Sequence, residues 1–127
     1  MPTIIKSCSE IECVGTKPKI IREYIGRVNS KTDDVSIAKM TSPSGWSEPG
    51  QAPEFDEYTY VLSGTLKVET KDGTYDVQQN EVIIAHKGEW VRYSTPYPEG
   101  AEYIAVCLPA FSPDIVHRDE ENNRGSE

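Results

Sequence analysis

Between Glu57 and Leu108 the chain passes through six short segments, EYTYVL, TLKVET, TYDVQ, EVIIAH, EWVRYST and EYIAVCL. They are rich in β-branched and aromatic residues and separated by turn residues, with no long helical period between them. Segments this short must pair to bury their apolar faces, and at this spacing they build an all-β sandwich or barrel. KDG at 71–73 marks a hairpin turn. Upstream, KIIREYIGRVN (19–29) and VSIAKMT (35–41) read as further strands divided by the turn SKTDD. The stretch SPSGWSEPGQAP (42–53) is broken by proline and glycine and predicts a loop or irregular edge. Helix is scarce. Its best candidate is SPDIVHRDE, with Ser112 as cap and Pro113 in the first turn. The last residues, DEENNRGSE, are polar and expected to fray.

A chain of 127 residues is enough for one domain with a single core. Its 36% hydrophobic and 27% charged content suits strands that alternate between core and water. The net charge of −8 argues against nucleic acid or an anionic membrane as partner, since both need a basic footprint. No stretch approaches the ~20 apolar residues of a membrane span, and MPTIIKSCSEIE lacks the features of a signal peptide. A cytoplasmic protein is therefore expected. Cys8, Cys13 and Cys107 form no disulfide framework and read as reduced thiols. Cys8 and Cys13 lack the second pair that a zinc site would need.

The stretch PEFDEYTYVLSGTLKVE (53–69) has the rhythm of strand, turn at Gly64 and strand. With the loop before it, it resembles the first motif of the cupins, G-x5-H-x-H-x3–4-E-x6-G. Gly45, Glu57 and Gly64 fall at the G, E and final G, while Gln51 and Pro53 stand at the two histidine positions. Of the second motif, G-x5-P-x-G-x2-H-x3-N, only Gly88 matches; Asn80, His86, Val91 and Thr95 occupy the other places. The resemblance covers roughly residues 35–110 and implies an all-β cupin double-stranded β-helix, a jelly-roll barrel with little helix. On that basis residues 1–34 are N-terminal strands and an edge extension, 35–110 the barrel, and 111–127 a C-terminal segment with a frayed acidic tail. FDEYTYVLSGTL and GEWVRYSTP look most like the branch named for ethanolamine-utilisation protein Q, whose members also lack the histidines. An acetate-kinase-like activity ascribed to that branch is not carried over, because the chain shows no Gly-rich phosphate loop.

Cupin metal sites use three histidines and a glutamate, and here Glu57 alone survives. No cofactor is expected, and the main expectation is a barrel without a metal. The alternative is an atypical transition-metal site built from Glu54, Asp56, Glu57 and His86. Successive strand residues point to opposite faces, so that site requires a bulge to bring both Asp56 and Glu57 inward. The path of the C-terminal segment that carries His117 is left open.

If Glu57 points inward, the period of two adds Thr59 and Val61 on its strand and Val91, Tyr93 and Thr95 on a later one. Gln51 and Pro53 would sit at the mouth, with Glu54 nearby, and Arg27 could reach it to hold a carboxylate. Such a pocket suits a small polar ligand. A carboxylate among apolar neighbours has a raised pKa, which makes Glu57 and Tyr93 the candidate acid–base pair. The structural readings stand beside this one: Glu57 as a turn cap or ion-pair member, Tyr93 as core, Arg27 in a surface pair. Arg92 should face outward. Trp90, Tyr58 and Tyr60 would form an aromatic outer face, most simply covered in a homodimer.

Three functions follow as expectations. The first is a small cytoplasmic cupin that binds or transforms a small polar metabolite without a metal, by proton transfer such as isomerisation or elimination if it is catalytic. The second is a non-catalytic ligand-sensing or pathway-assembly module. The third is a metalloenzyme with a carboxylate-rich site.

Overall fold

The computed structural model describes residues 1–13 and 15–119; of the tail expected to fray (119–127), only Asp119 is described, and it is held by hydrogen bonds to Gly50 and Trp90, while 120–127 lie outside the described residues. In chain order the strands are β1 (Ser9–Ile11), β2 (Ile20–Ile25), β3 (Ser36–Ser42), β4 (Trp46–Ser47), β5 (Asp56–Gly64) and β6 (Leu66–Thr70). They continue with β7 (Thr74–Val77), β8 (Val82–Ala85), β9 (Val91–Thr95) and β10 (Ala101–Leu108), and the short helix α1 (Pro113–Val116) follows. A six-stranded sheet runs β1-β2-β3-β10-β5-β8 and a four-stranded sheet β4-β9-β6-β7. Both are antiparallel. The all-β architecture expected from the strand spacing is what forms.

Alternation explains why the two sheets face each other. In β10, Ala101, Tyr103, Ala105 and Cys107 are buried and the residues between them are not. Val61, Ala85 and Tyr103 from one sheet meet Trp46, Leu66, Val68, Val77 and Val91 from the other in a shared core. Each fully buried aliphatic side chain there stabilises the fold by about 1.5–3 kcal/mol. At the first cupin motif's final glycine, Gly64 has φ +74, and a Cβ at this position would run into the backbone of Gly100 and Ala101. Gly45 has φ +86, but its Cβ would meet only the flexible end of Lys17.

Two segments depart from the linear reading. The strand expected over 19–29 ends at Ile25, because the Glu23 carboxylate turns back to accept hydrogen bonds from the backbone N–H groups of Val28 (3.0 Å) and Asn29 (2.8 Å). Within the proline-rich stretch, Trp46 and Ser47 still pair with β9, and Gln51 bridges to Val91. The turn at 71–73 and the capped helix form as expected, with Ser112 Oγ accepting from Asp114 N at 3.2 Å.

The C-terminal segment packs along the stretch that leads into β5. Ala52 N donates to His117 O (3.2 Å), Glu54 N to Ile115 O (2.8 Å) and Asp119 N to Gly50 O (2.8 Å). Phe55, Cys107 and Val116 form a second small core, with Phe111 and Ile115 packed against it. This brings residues 111–118 to the mouth of the barrel. No described helix is long and apolar enough to cross a membrane.

Candidate functional site

Side-chain size along the six-stranded sheet decides where space is left. Across β5, β10 and β3 one inward row reads Val61, Tyr103, Met40; the next two read Thr59, Ala105, Ala38 and Glu57, Cys107, Ser36. The first row is bulky and fills the layer between the sheets. The other two are mostly small side chains that cannot reach the opposite sheet. A cavity of about 380 Å³ remains there, with Ile21, Met40, Phe55 and Phe111 in its apolar wall. This is enough room for roughly a one- or two-ring molecule.

Of the residues singled out in the sequence, Glu57, Tyr93, Gln51 and Thr59 line this cavity. Tyr93 Oη donates to Glu57 Oε1 at 3.4 Å, a long bond. The Glu57 side chain is half-buried and faces the cavity. Burial pushes its pKa up to about 7; the neighbouring Glu48 adds to the rise, while Lys19, the Tyr93 hydrogen bond and Arg118 oppose it. Burial also holds the Tyr93 phenol well above its usual range, reinforced by Glu57 and Glu48, so Tyr93 keeps its proton. A carboxyl that titrates near neutrality can both take and return a proton.

Four polar residues that the sequence reading missed complete the site: Lys19, Glu48, Tyr103 and Arg118. Lys19 Nζ lies 4.0 Å from the centre of the Trp46 ring, donates to Tyr103 Oη at 3.4 Å and stands 3.9 Å from Glu48 Oε1. Both side chains of the Lys19–Glu48 pair are only 7% exposed. Burial alone would lower the Lys19 pKa, but Tyr103, Glu48 and Glu57 together outweigh it and keep it above its ordinary value. Lys19 is therefore a fixed cation. Burial raises the pKa of Glu48, against the pull of Lys19 and Arg118. Tyr103 Oη and Ser42 Oγ share a hydrogen bond of 2.9 Å, which fixes the ring. Burial, then Glu57, pushes the Cys107 thiol far up, so it stays protonated and unreactive.

Gln51 Oε1, Thr59 Oγ1 and Arg118 Nε are buried with no hydrogen-bond partner among the described residues. A buried polar atom left unpaired costs about 1–3 kcal/mol.

Other expected ligand residues lie elsewhere. Val91 packs into the shared core, and Thr95 Oγ1 donates to Pro43 O at 2.7 Å. Both share an inward face with Tyr93, but neither lines the cavity. Glu54 is exposed and pairs with His117 Nε2. Arg27 donates to Ala110 O (3.2 and 3.3 Å) and Asp33 Oδ1 (3.3 Å), holding a connecting loop instead of reaching the mouth. Arg92 faces out, as expected, and binds Glu69 Oε2 at 2.8 Å. Trp90 leaves the expected aromatic face; it packs beside Gly50 and donates to Asp119 Oδ2 at 3.1 Å.

The residues present do not fit the metal that the cupin motif implies. Gln51, Pro53 and Val91 in the histidine slots provide one amide between them, and Val91 is turned into apolar core. The carboxylate alternative does not converge either. The β5–β10 register is regular through Asp56 and Glu57 and shifts only at Leu62, so those two acids face opposite sides. Asp56 Oδ1 accepts from Lys87 N at 2.8 Å, and His86 is exposed. Among the described residues no group of three or more His, Cys, Asp or Glu side chains comes together.

Two of the missed residues had a signal in the sequence. Lys19 and Glu23 alternate with Ile20, Arg22 and Tyr24, but both faces of that strand mix polar and apolar residues, so the inward face was ambiguous. Tyr103 lies on the inward parity of β10. Glu48 and Arg118 sit in irregular segments, where no period says which way a side chain points.

No family model matches the chain. Endoribonuclease YbeY of Myxococcus xanthus is 37% identical over 109 residues, covering 86% of this chain and 37% of that protein, so the chain spans about a third of that relative's length. The polyketide cyclase RemF from Streptomyces resistomycificus is a similar solved structure, with a TM-score of 0.73 at 18% identity, over 94% of this chain and 85% of that one. A putative ethanolamine utilization protein Q from Salmonella typhimurium aligns with a TM-score of 0.61 at 18% identity, over 73% and 71%. A predicted oxalate decarboxylase from Thermotoga maritima gives 0.70 at 15% identity, over 84% and 99%.

Proposed function

The chain has the cupin fold, and on that scaffold we propose that it binds a small oxygen-bearing metabolite and moves a proton on it with Glu57 and Tyr93, without a metal. The observation that carries this reading is Glu57, raised to about 7 in the cavity beside the protonated Tyr93. Isomerisation or elimination is the chemistry such a pair performs. The cavity walls are more apolar than a purely polar metabolite would need, which favours a largely hydrophobic skeleton. The polyketide cyclase and the oxalate decarboxylase with this fold are named for oxygen-bearing organic molecules, in keeping with that reading.

The test is a thermal-shift screen at pH 6 and 8 against a panel of small ketones, hydroxy acids and phenols, followed by turnover assays on whatever binds. Turnover is expected to fall about tenfold per pH unit below 7 and to level off above it, because the base form of Glu57 is the active one. Glu57→Gln should bind and not turn over. Full turnover by Glu57→Gln would end the proton-transfer reading.

One observation favours a second reading. The similar segment of the Myxococcus xanthus protein is only part of a longer chain, as a ligand-sensing module would be. Binding without turnover in the wild-type protein would support it. Its endoribonuclease activity is not carried over, since a chain of net charge −8 lacks the footprint for RNA.

A homodimer is proposed through the outer face of the six-stranded sheet. There Tyr58 and Tyr60 of β5 lie across from Ile84 and Val82 of β8 and from Val106 and Ile104 of β10. Tyr58, Tyr60, Val82 and Ile84 are all more than a third exposed. Sedimentation equilibrium is expected to give twice the chain mass for wild type and the single mass for Tyr60→Lys. A monomeric wild type would remove the proposal.

A further inference from the structure

The electrostatics of the cavity say more about what it accepts. Of the acids that line it, Glu12 is exposed and the Glu23 carboxylate is taken up by the backbone N–H groups of Val28 and Asn29, which leaves Lys19 and Arg118 with two positive charges against Glu48 and Glu57 with two negative ones when ionised. A ligand with a full charge of its own would leave one of these groups unbalanced in a poorly solvated space. A neutral ligand leaves the set balanced. Its skeleton would meet aromatic and aliphatic walls, Phe55 and Phe111 standing edge to face with ring centres 6.1 Å apart.

Lys19 is the group that the Glu57–Tyr93 pair leaves unexplained. Its ammonium is immobilised between the Trp46 ring and Tyr103 Oη, and at 3.9 Å the Glu48 carboxylate is beyond hydrogen-bond reach. That leaves ammonium hydrogens available to an oxygen in the cavity. A lysine held in its charged form has no lone pair for imine formation, so it acts as a positive pole.

We infer that the cavity takes a neutral, enolisable carbonyl compound, with Lys19 Nζ binding the carbonyl oxygen while Glu57 moves a proton on the adjacent carbon. The inference rests on the proton-transfer reading and adds the substrate class to it. In the step, the α C–H bond breaks and an O–H bond forms on Glu57. The C–H electron pair becomes the enolate double bond, and the carbonyl π pair moves onto oxygen beside Lys19. One negative charge passes from Glu57 to the ligand oxygen, so the net charge of the site is unchanged. With a β,γ-unsaturated ketone the enolate is a dienolate, and return of the proton to its γ carbon completes an isomerisation with no oxidant or co-reactant. Lys19 gains interaction as charge develops on the oxygen, which is the condition for lowering the barrier.

The probe is 2-tetralone, a neutral two-ring ketone, incubated with the protein in D2O while α-proton exchange is followed by NMR and binding by calorimetry. Wild type is expected to exceed the buffer rate by at least about 100-fold. Glu57→Gln should return exchange to background. Lys19→Met should remove most of it, by about 100-fold, while changing the Kd less than about threefold. The double variant Lys19→Met/Glu48→Gln, which leaves no unpaired buried carboxylate, gives the same comparison if the single variant does not fold. Wild-type exchange at the buffer rate overturns the substrate class, while the metabolite panel still decides the proton-transfer reading. Exchange at the full rate in the double variant but none in Glu57→Gln overturns the role of Lys19 and leaves that of Glu57 standing. Full exchange in Glu57→Gln overturns both.

Discussion

Glu57→Gln is expected to stabilise the protein against urea by about 3 kcal/mol at pH 8.5 and to leave its stability unchanged at pH 4. The amide keeps the shape of the carboxyl and a partner for Tyr93, but has no charge to desolvate. The sign follows from linkage. Below 4.5, the ordinary value of a glutamate, folded and unfolded chains both hold this proton and nothing is lost. Between 4.5 and about 7 the unfolded chain releases it while the folded chain retains it, so stability falls as pH rises. Above 7 the folded chain ionises as well and the loss is complete. A rise from 4.5 to about 7 corresponds to about 3 kcal/mol. A stability difference that does not change with pH would mean that the carboxyl is well hydrated, and the case for Glu57 as a base near neutrality would go with it.

Lys19→Met acts in the opposite direction. It removes one member of a buried ion pair and leaves Glu48 as a desolvated charge, which costs about 3–5 kcal/mol when the partner stays ionised. At pH 8 the full loss is expected. At pH 5 the loss should be smaller, because burial already raises the pKa of Glu48 and removing Lys19 raises it further, so the carboxyl takes up a proton instead. Adding Glu48→Gln should recover most of the loss at pH 8, and a double-mutant cycle in urea isolates the coupling. If the loss is equal at both pH values and Glu48→Gln recovers nothing, packing of the lysine stem on Trp46 is what matters, not the charge.

Both predictions concern groups that the sequence revealed unequally. Glu57 stands at the glutamate position of a recognisable motif, on a strand whose alternation put Thr59 and Val61 on its face without saying whether that face turns inward. Its partner Tyr93 follows the same parity on β9. Parity gave direction but not depth: Val91 and Thr95 share the inward face of Tyr93, yet one is core and the other holds the Pro43 carbonyl. The bulge considered at Asp56–Glu57 lies at Leu62, a displacement of the pairing that no local residue signal announced.

What the sequence determined by itself was the β architecture, the turn at Gly64, the capped helix at Ser112 and the shared face of Glu57, Thr59 and Val61. These depend on interactions among near neighbours in the chain: period-two burial, turn chemistry and capping. Tertiary structure alone decided that Lys19 meets Glu48, Trp46 and Tyr103, that Arg118 comes to the mouth, and that rows of small side chains leave a cavity. Those contacts join residues tens of positions apart through sheet register and the path of irregular segments, and their energies depend on burial that exists only after the sheets have packed.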